Sequence, residues 1–261
     1  MMPKLVDTHT HLNFSHFEKN WQKIAETCLK ENIWLINVGC SLKTSKKAVE
    51  IANYFEGGVF AAVGVHPAEI KKEKIDFEKF LELAKEPKAV AIGEVGFDFW
   101  HEPFGLEEQK KVLKSFIEIA QEVKKPVIFH LRSSKDKSLN AYQVLIGFLE
   151  KENFADLKGV VHSFEGSIEE GEVFLKKGFY LGANGLINLS KKTAKVFKKL
   201  PLERIILETD APYLKPPRAK GEINTPCNVV FVADKLARLK KVEEEKIFQI
   251  TTKNARELFD F

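Results

Sequence analysis

Three cysteines in 261 residues offer little for covalent stapling. Their number is odd, and Cys28, Cys40 and Cys227 show no Cys-x-x-Cys spacing. That speaks against a disulfide framework or a cysteine-rich zinc knuckle, and it fits a reducing compartment. Cys28 falls in a helical pattern and Cys40 just past an apolar run, so both are expected to be small buried groups. No stretch of about 18 apolar residues occurs, which excludes a membrane-spanning helix. The N-terminus lacks a basic segment running into an apolar one, so no secretory signal is expected and the expected location is the cytoplasm. An excess of charge of one sign is also small. The net charge of +4 permits contact with a polyanion without demanding it. Lysine pairs such as Lys71-Lys72, Lys191-Lys192 and Lys198-Lys199 read as solvated surface.

What is present is a long alternation of two hydrophobic periods. Nearly continuous apolar runs, the mark of strands covered on both faces, stand at Leu5–Val6, Ile33–Val38, Val59–Val65, Ala89–Gly93, Val127–Phe129, Gly159–Val161, Phe179–Gly182 and Arg204–Leu207. Helical spacing fills the intervals, over Phe17–Glu31, Thr44–Phe55, Asp76–Ala84, Leu106–Val123, Asn140–Leu149, Ile168–Lys177 and Ala194–Leu200. Two more helical patterns close the chain, at Val229–Leu239 and Glu243–Leu258. Strands alternating with helices predict a parallel sheet, and eight units in about 250 residues predict a closed α/β TIM (β/α)8 barrel. No linker or low-complexity segment interrupts it, so one domain is expected over residues 1–261. Charged residues make up 30 % of the chain, with Lys and Glu abundant, a composition that leans toward heat adaptation.

In such a barrel the chemistry lies at the C-terminal ends of the strands. The first strand ends in His9 and His11, two residues apart and therefore on one face of extended chain. Glu94 follows the fourth strand, His130 and His162 end the fifth and sixth, and Asp210 follows the eighth. Singly, each has an ordinary reading: a hydrogen-bonded rim histidine, or for Asp210 a helix-capping group. Together at one rim, these nitrogen and carboxylate groups make a site suited to zinc, manganese or a similar divalent ion. Arg132, two residues past His130, is placed either to grip a phosphate with two prongs or to make a rim salt bridge. His66 either contacts substrate or ends its strand structurally. After Glu94 comes an aromatic loop with Phe97, Phe99, Trp100 and Phe104. Its rings are placed to stack on bases or to pack over the barrel mouth, and Asp98 to cap within the loop.

These residues resemble the TatD family of metal-dependent deoxyribonucleases, within the amidohydrolase-like barrels. The resemblance is carried from end to end by Asp7-Thr8-His9-Thr10-His11-Leu12, Gly64-Val65-His66-Pro67 and Gly93-Glu94-Val95-Gly96-Phe97-Asp98. It continues through His130-Leu131-Arg132, His162-Ser163-Phe164-Glu165-Gly166 and Glu208-Thr209-Asp210-Ala211-Pro212-Tyr213-Leu214. The loop from Arg218 to Pro226 is similar to the family's Arg-Gly-x-x-Asn-x-Pro signature, but Ala219 and Lys220 separate Arg218 from Gly221. Phe99-Trp100 stands where the family usually has a tyrosine. Glu94 occupies the place of the carboxylated lysine found in many barrels of the wider superfamily, which favours the TatD branch.

The resemblance implies two divalent ions (zinc, manganese or magnesium). His9, His11, Glu94 and Asp210 would hold one, and Glu94, His130 and His162 the other. It implies Glu94 and Asp210 as catalytic groups, with His66, Arg132 and Arg218 toward substrate. The implied activity is hydrolysis of phosphodiester bonds in single-stranded DNA, trimmed from an end. The alternative on the same site is an esterase or amidase, such as one removing a misattached amino acid from RNA. A scaffold that keeps only the barrel is disfavoured because every expected ligand position is filled. No protein partner is expected, and a monomer is.

Overall fold

The computed structural model describes residues 2–72, 74–101 and 105–261. Its strands are β1 (Leu5–Thr10), β2 (Ile33–Val38), β3 (Val59–Val63), β4 (Ala89–Asp98), β5 (Val127–Arg132), β6 (Gly159–Val161), β7 (Tyr180–Ala183) and β8 (Ile205–Leu207). They form one sheet in sequence order, and every recorded neighbour pair is parallel. The helices between them are α1 (Trp21–Lys30), α2 (Leu42–Tyr54), α3 (Phe77–Lys85), α4 (Leu106–Val123), α5 (Ala141–Glu152), α6 (Ile168–Lys176), α7 (Leu186–Leu189) and α8 (Lys191–Lys199). After β8 come α9 (Val229–Lys240) and α10 (Glu244–Phe259). This is a TIM barrel. Among the described residues, no helix is long and apolar enough to cross a membrane.

The seam between β8 and β1 is closed mainly by polar contacts at its upper end. Thr8 Oγ1 donates to Leu207 O (2.9 Å), Asp210 N to His9 O (2.9 Å) and His11 N to Ala211 O (2.9 Å). Buried Asp7 accepts from Thr209 N (2.8 Å) and Thr209 Oγ1 (2.6 Å). Closing the seam thus carries His9, His11 and Asp210 to one place.

Two apolar layers follow from the strand period. Val6, Ile36, Val38, Ala62, Ala91, Ile128, Val160 and Ile206 fill one cluster together with Phe259, with Trp34, Phe60 and Phe261 packed against it. Phe261 stacks on Phe60 at 4.3 Å. The larger cluster joins strands to helices, with Phe80, Phe116, Phe129, Phe174 and Phe197 fully buried or nearly so.

Among the differences from the expectations above, two change the reading of the fold. β4 does not stop at Gly93 but runs to Asp98, because β5 supplies partners as far as Asp98↔Arg132. Cys28 is joined to Cys227 in a disulfide, which corrects the expectation that none forms. Spacing rules read local Cys pairs, whereas these two lie 199 residues apart and meet where α1 packs beside the turn Pro226–Asn228.

Candidate metal centre

The register of β1 against β2 shifts between Asp7 and Thr10, and that of β4 against β5 between Gly93 and Val95. Such irregularities re-aim side chains, and they favour functional rims. Here they bracket His9 and Glu94. Gly64 permits the close approach of β3 to this point. A Cβ there would lie 2.7 Å from the Gly93 carbonyl carbon and 3.0 Å from Glu94 N.

His9 and His11 place their Nε2 atoms 3.2 Å apart. His11 Nδ1 lies 2.8 Å from Val38 O, a pure acceptor, so Nδ1 carries the hydrogen and a neutral His11 turns a bare Nε2 lone pair inward. His9 stacks on His162 at 3.5 Å between ring centres. Its buried Nδ1 has no hydrogen-bond partner among the described residues.

Glu94 divides its two oxygens between two groups of side chains. Oε2 lies 3.3 Å from His9 Nε2 and 4.0 Å from His11 Nε2. Oε1 lies 2.6 Å from His130 Nδ1, 3.7 Å from His66 Nε2 and 3.8 Å from His162 Nε2. Asp210, whose backbone takes a left-handed φ of 57°, brings Oδ1 to 3.5 Å from His11 Nε2, 3.8 Å from His162 Nε2 and 3.9 Å from His9 Nε2. Nitrogen lone pairs and carboxylate oxygens therefore converge at distances that suit shared divalent cations, and the donor set fits them.

The charges point the same way. Burial opposes ionisation of Glu94, yet His66, His130 and His9 hold its carboxyl well below the usual value. Asp210 is likewise held low against burial, by His11 and His162. Burial opposes a charge on His162, but Glu208 outweighs it and, with Asp210 and Glu94, raises the pKa to about 10. His130 is raised against burial by Asp98 and Glu94. Burial, then the neighbouring His130, lowers His66 to about 3. In the bare protein a proton on His162, favoured in the same direction on His130, offsets carboxylate charge, a role that divalent cations would take over.

All six residues expected to hold metal come together, and the substrate candidates divide. His66 and Arg132 line the mouth cavity of about 1330 Å³ with Trp100, Lys135 and Tyr213. His66 Nδ1 accepts from Ala68 N (3.0 Å), which fixes its ring and turns Nε2 toward Glu94. Arg132 lays its guanidinium 4.8 Å from the centre of the Trp100 ring. Arg218 does not line this cavity; it pairs with Asp234 on α9 at 2.9 Å. The signature loop is instead pinned by buried Asn224, whose Nδ2 donates to Thr209 O (3.0 Å) and Tyr213 O (2.7 Å). Of the aromatic loop, Phe97 and Phe99 are buried and pack, while Trp100 is 40 % exposed. Phe104 lies outside the described residues.

Three groups had no site role in the sequence reading. Glu208 is buried, lies 3.0 Å from His162 Nδ1, and accepts from Ser163 N (2.6 Å). Asp98 does cap its loop, accepting from Trp100 N and His101 N, but its other oxygen lies 3.1 Å from His130 Nε2. Cys40 is not a core group; it lines the mouth cavity. Glu208 and Asp98 left a trace, each standing in a strand-end motif with a ligand candidate, Glu208 two residues before Asp210 and Asp98 four after Glu94.

Residues 6–260 match the model of the family described as TatD related DNase. The chain is 33 % identical to a metal-dependent hydrolase of Bacillus subtilis, YabD, described as uncharacterized, with 98 % of each chain covered. It is 30 % identical to the similarly described YcfH of Escherichia coli, over 98 % of this chain and 95 % of that one. The crystal structure of YJJV, a TatD homologue from Escherichia coli, superposes with a TM-score of 0.88 at 26 % identity, covering both chains fully.

Proposed function

The chain belongs to the family of TatD-related DNases, which makes it a metal-dependent hydrolase, and on that footing we propose that it cleaves phosphodiester bonds of single-stranded DNA from an end. The observation that carries the proposal is the division of Glu94, with one oxygen among His9 and His11 and the other among His130, His162 and His66. A carboxylate so placed spans two neighbouring positions. His9, His11, Glu94 and Asp210 would hold one divalent ion, and Glu94, His130 and His162 a second. Zinc, manganese or magnesium bound there would acidify a shared water and offset charge on the attacked phosphate.

The chain's own groups supply the rest. Asp210, 15 % exposed at its side chain and held ionised, is the base that orients the water and takes its proton. Arg132, at the open rim, is charged at any working pH and presents paired N–H donors to phosphate. His66, held neutral, carries its hydrogen on Nε2 because Nδ1 accepts from Ala68, and offers that hydrogen at the cavity floor. Arg218, tied to Asp234, would meet only substrate reaching beyond the mouth. The proposed working form is a cytoplasmic monomer, in which the Cys28–Cys227 disulfide fits the heat-adapted composition, since intracellular proteins of heat-adapted organisms keep such bonds.

The test is cleavage of end-labelled single-stranded DNA by metal-stripped protein, with magnesium, manganese or zinc restored in turn. A ladder of shortened products that requires metal and disappears in folded Glu94→Ala is the expected result. Full activity in Glu94→Ala would overturn the two-metal reading. Folded, metal-loaded protein that leaves oligonucleotides intact would overturn the nuclease reading and turn attention to aminoacyl esters.

A further inference from the structure

Cys40 follows β2 at the rim, and its backbone is pinned on both sides. Its N–H donates to Thr44 Oγ1 (2.9 Å), and its carbonyl accepts from His66 N (2.9 Å). Thr44 is itself held in the capping box with Ser41 that starts α2. The thiol therefore leaves a fixed point, and Sγ lies 3.6 Å from Glu94 Oε2 and 4.0 Å from His11 Nδ1. Donor atoms from His11, Cys40 and Glu94 all fall within 4.8 Å of one another. With zinc–sulfur bonds of about 2.3 Å and zinc–oxygen bonds of about 2.0–2.2 Å, two donors on one tetrahedral ion stand about 3.6 Å apart. The sulfur-to-carboxylate spacing matches that separation.

Ligand atoms crowd at this point even without the cysteine. His11 commits Nδ1 to Val38 O, which turns Nε2 inward to face His9 Nε2 at 3.2 Å and Asp210 Oδ1 at 3.5 Å. Acceptors gathered this closely repel each other unless a cation or proton stands among them.

We propose that Cys40 is a thiolate donor to the ion held by His9 and His11, and that it biases this centre toward zinc and away from magnesium. On binding, the S–H bond breaks, sulfur donates its pair to the cation, and the proton leaves to bulk water; no oxidant is involved. Soft sulfur selects ions of zinc's kind, whereas magnesium keeps oxygen ligands and water. The proposal rests on the metal centre described above and not on the choice of DNA as substrate. A failed nuclease assay would leave it standing.

The experiment loads the full-length, metal-stripped protein with cobalt(II) and reads its spectrum, with bound cobalt counted by elemental analysis. Cys28 and Cys227 are bonded to each other, which leaves Cys40 as the free thiol. The wild type is expected to show a sulfur-to-cobalt charge-transfer band in the near ultraviolet. Cys40→Ser and Cys40→Ala, checked for folding by circular dichroism, are expected to bind cobalt without that band. Zinc affinity should fall by at least about tenfold in both variants, with magnesium affinity unchanged. Three outcomes would overturn the proposal: bound cobalt with no such band in the wild type, a band that survives both substitutions, or no uptake of cobalt at all.

Discussion

Glu208 and Asp98 show why a ligand residue is only as good as what stands behind it. An imidazole that donates its outer N–H to a carboxylate is held in one ring orientation and made a better donor on its inner side. Asp98 does this for His130 at 3.1 Å, and Glu208 sets a carboxylate oxygen 3.0 Å behind His162 Nδ1. Asp98 stands behind His130, and a Glu208 oxygen falls within 4.8 Å of donor atoms of His9 and His162. Glu208→Gln and Asp98→Asn keep shape and remove charge, so each is expected to lower metal affinity by about 10–100-fold while leaving the protein folded. Equilibrium dialysis against zinc, with circular dichroism as the fold check, reads both. Unchanged affinity in both would show that ring orientation is set by packing alone, for example by the His9–His162 stack. The inner residues were legible in the sequence because each ends an apolar run, and a barrel gathers strand ends. The outer carboxylates were not. Which acid faces which imidazole depends on strand stagger and on the register shifts beside His9 and Glu94, and these have no one-letter signature.

Among the elements, the strands were the most legible part, since buried parallel strands leave unbroken apolar runs. Boundaries moved where tertiary pairing overrode composition. β4 gained Glu94 to Asp98 from β5, and that extension aims the loop after it. At its end Trp100 stands partly exposed, with Arg132 at 4.8 Å and Lys135 at 5.2 Å from its ring centre. A cation over an indole face is stabilised by about 0.5–2 kcal/mol, so the ring holds two charges at the rim of the cavity. Removing the ring frees both side chains without touching the ligands. Trp100→Ala is therefore expected to raise KM for single-stranded oligonucleotides by about five- to thirtyfold, equivalent to about 1–2 kcal/mol, with kcat little changed. Trp100→Phe should recover part of the loss. Steady-state kinetics on an oligonucleotide and on a small aryl phosphodiester separate the roles, because the small substrate does not reach the ring. Equal losses on both would place Trp100 in the support of the metal site instead.

At the scale of the whole molecule, the ends of the chain decide whether the barrel stays shut. The β8–β1 seam has polar contacts in place of a long ladder, and α10 backs it, with Thr252 Oγ1 donating to Lys4 O (3.1 Å) and Asn254 Nδ2 to Ile205 O (2.8 Å). The Cys28–Cys227 disulfide ties α1, near the start, to the turn that begins α9, across 199 residues. A crosslink over so long a loop removes much unfolded-chain freedom, and disulfides of this kind contribute about 2–4 kcal/mol. In a domain of this size, each kcal/mol moves Tm by about 2–4 °C. The double variant Cys28→Ser/Cys227→Ser is therefore expected to melt about 5–15 °C lower than the parent, in a scan without reductant. Its metal affinity should be unchanged, because neither sulfur reaches the site. Thiol titration of the unreduced, denatured parent should find the single thiol of Cys40. Three reactive thiols, or equal melting of parent and variant, would show that the seam is held by its hydrogen bonds and by α10 without covalent help.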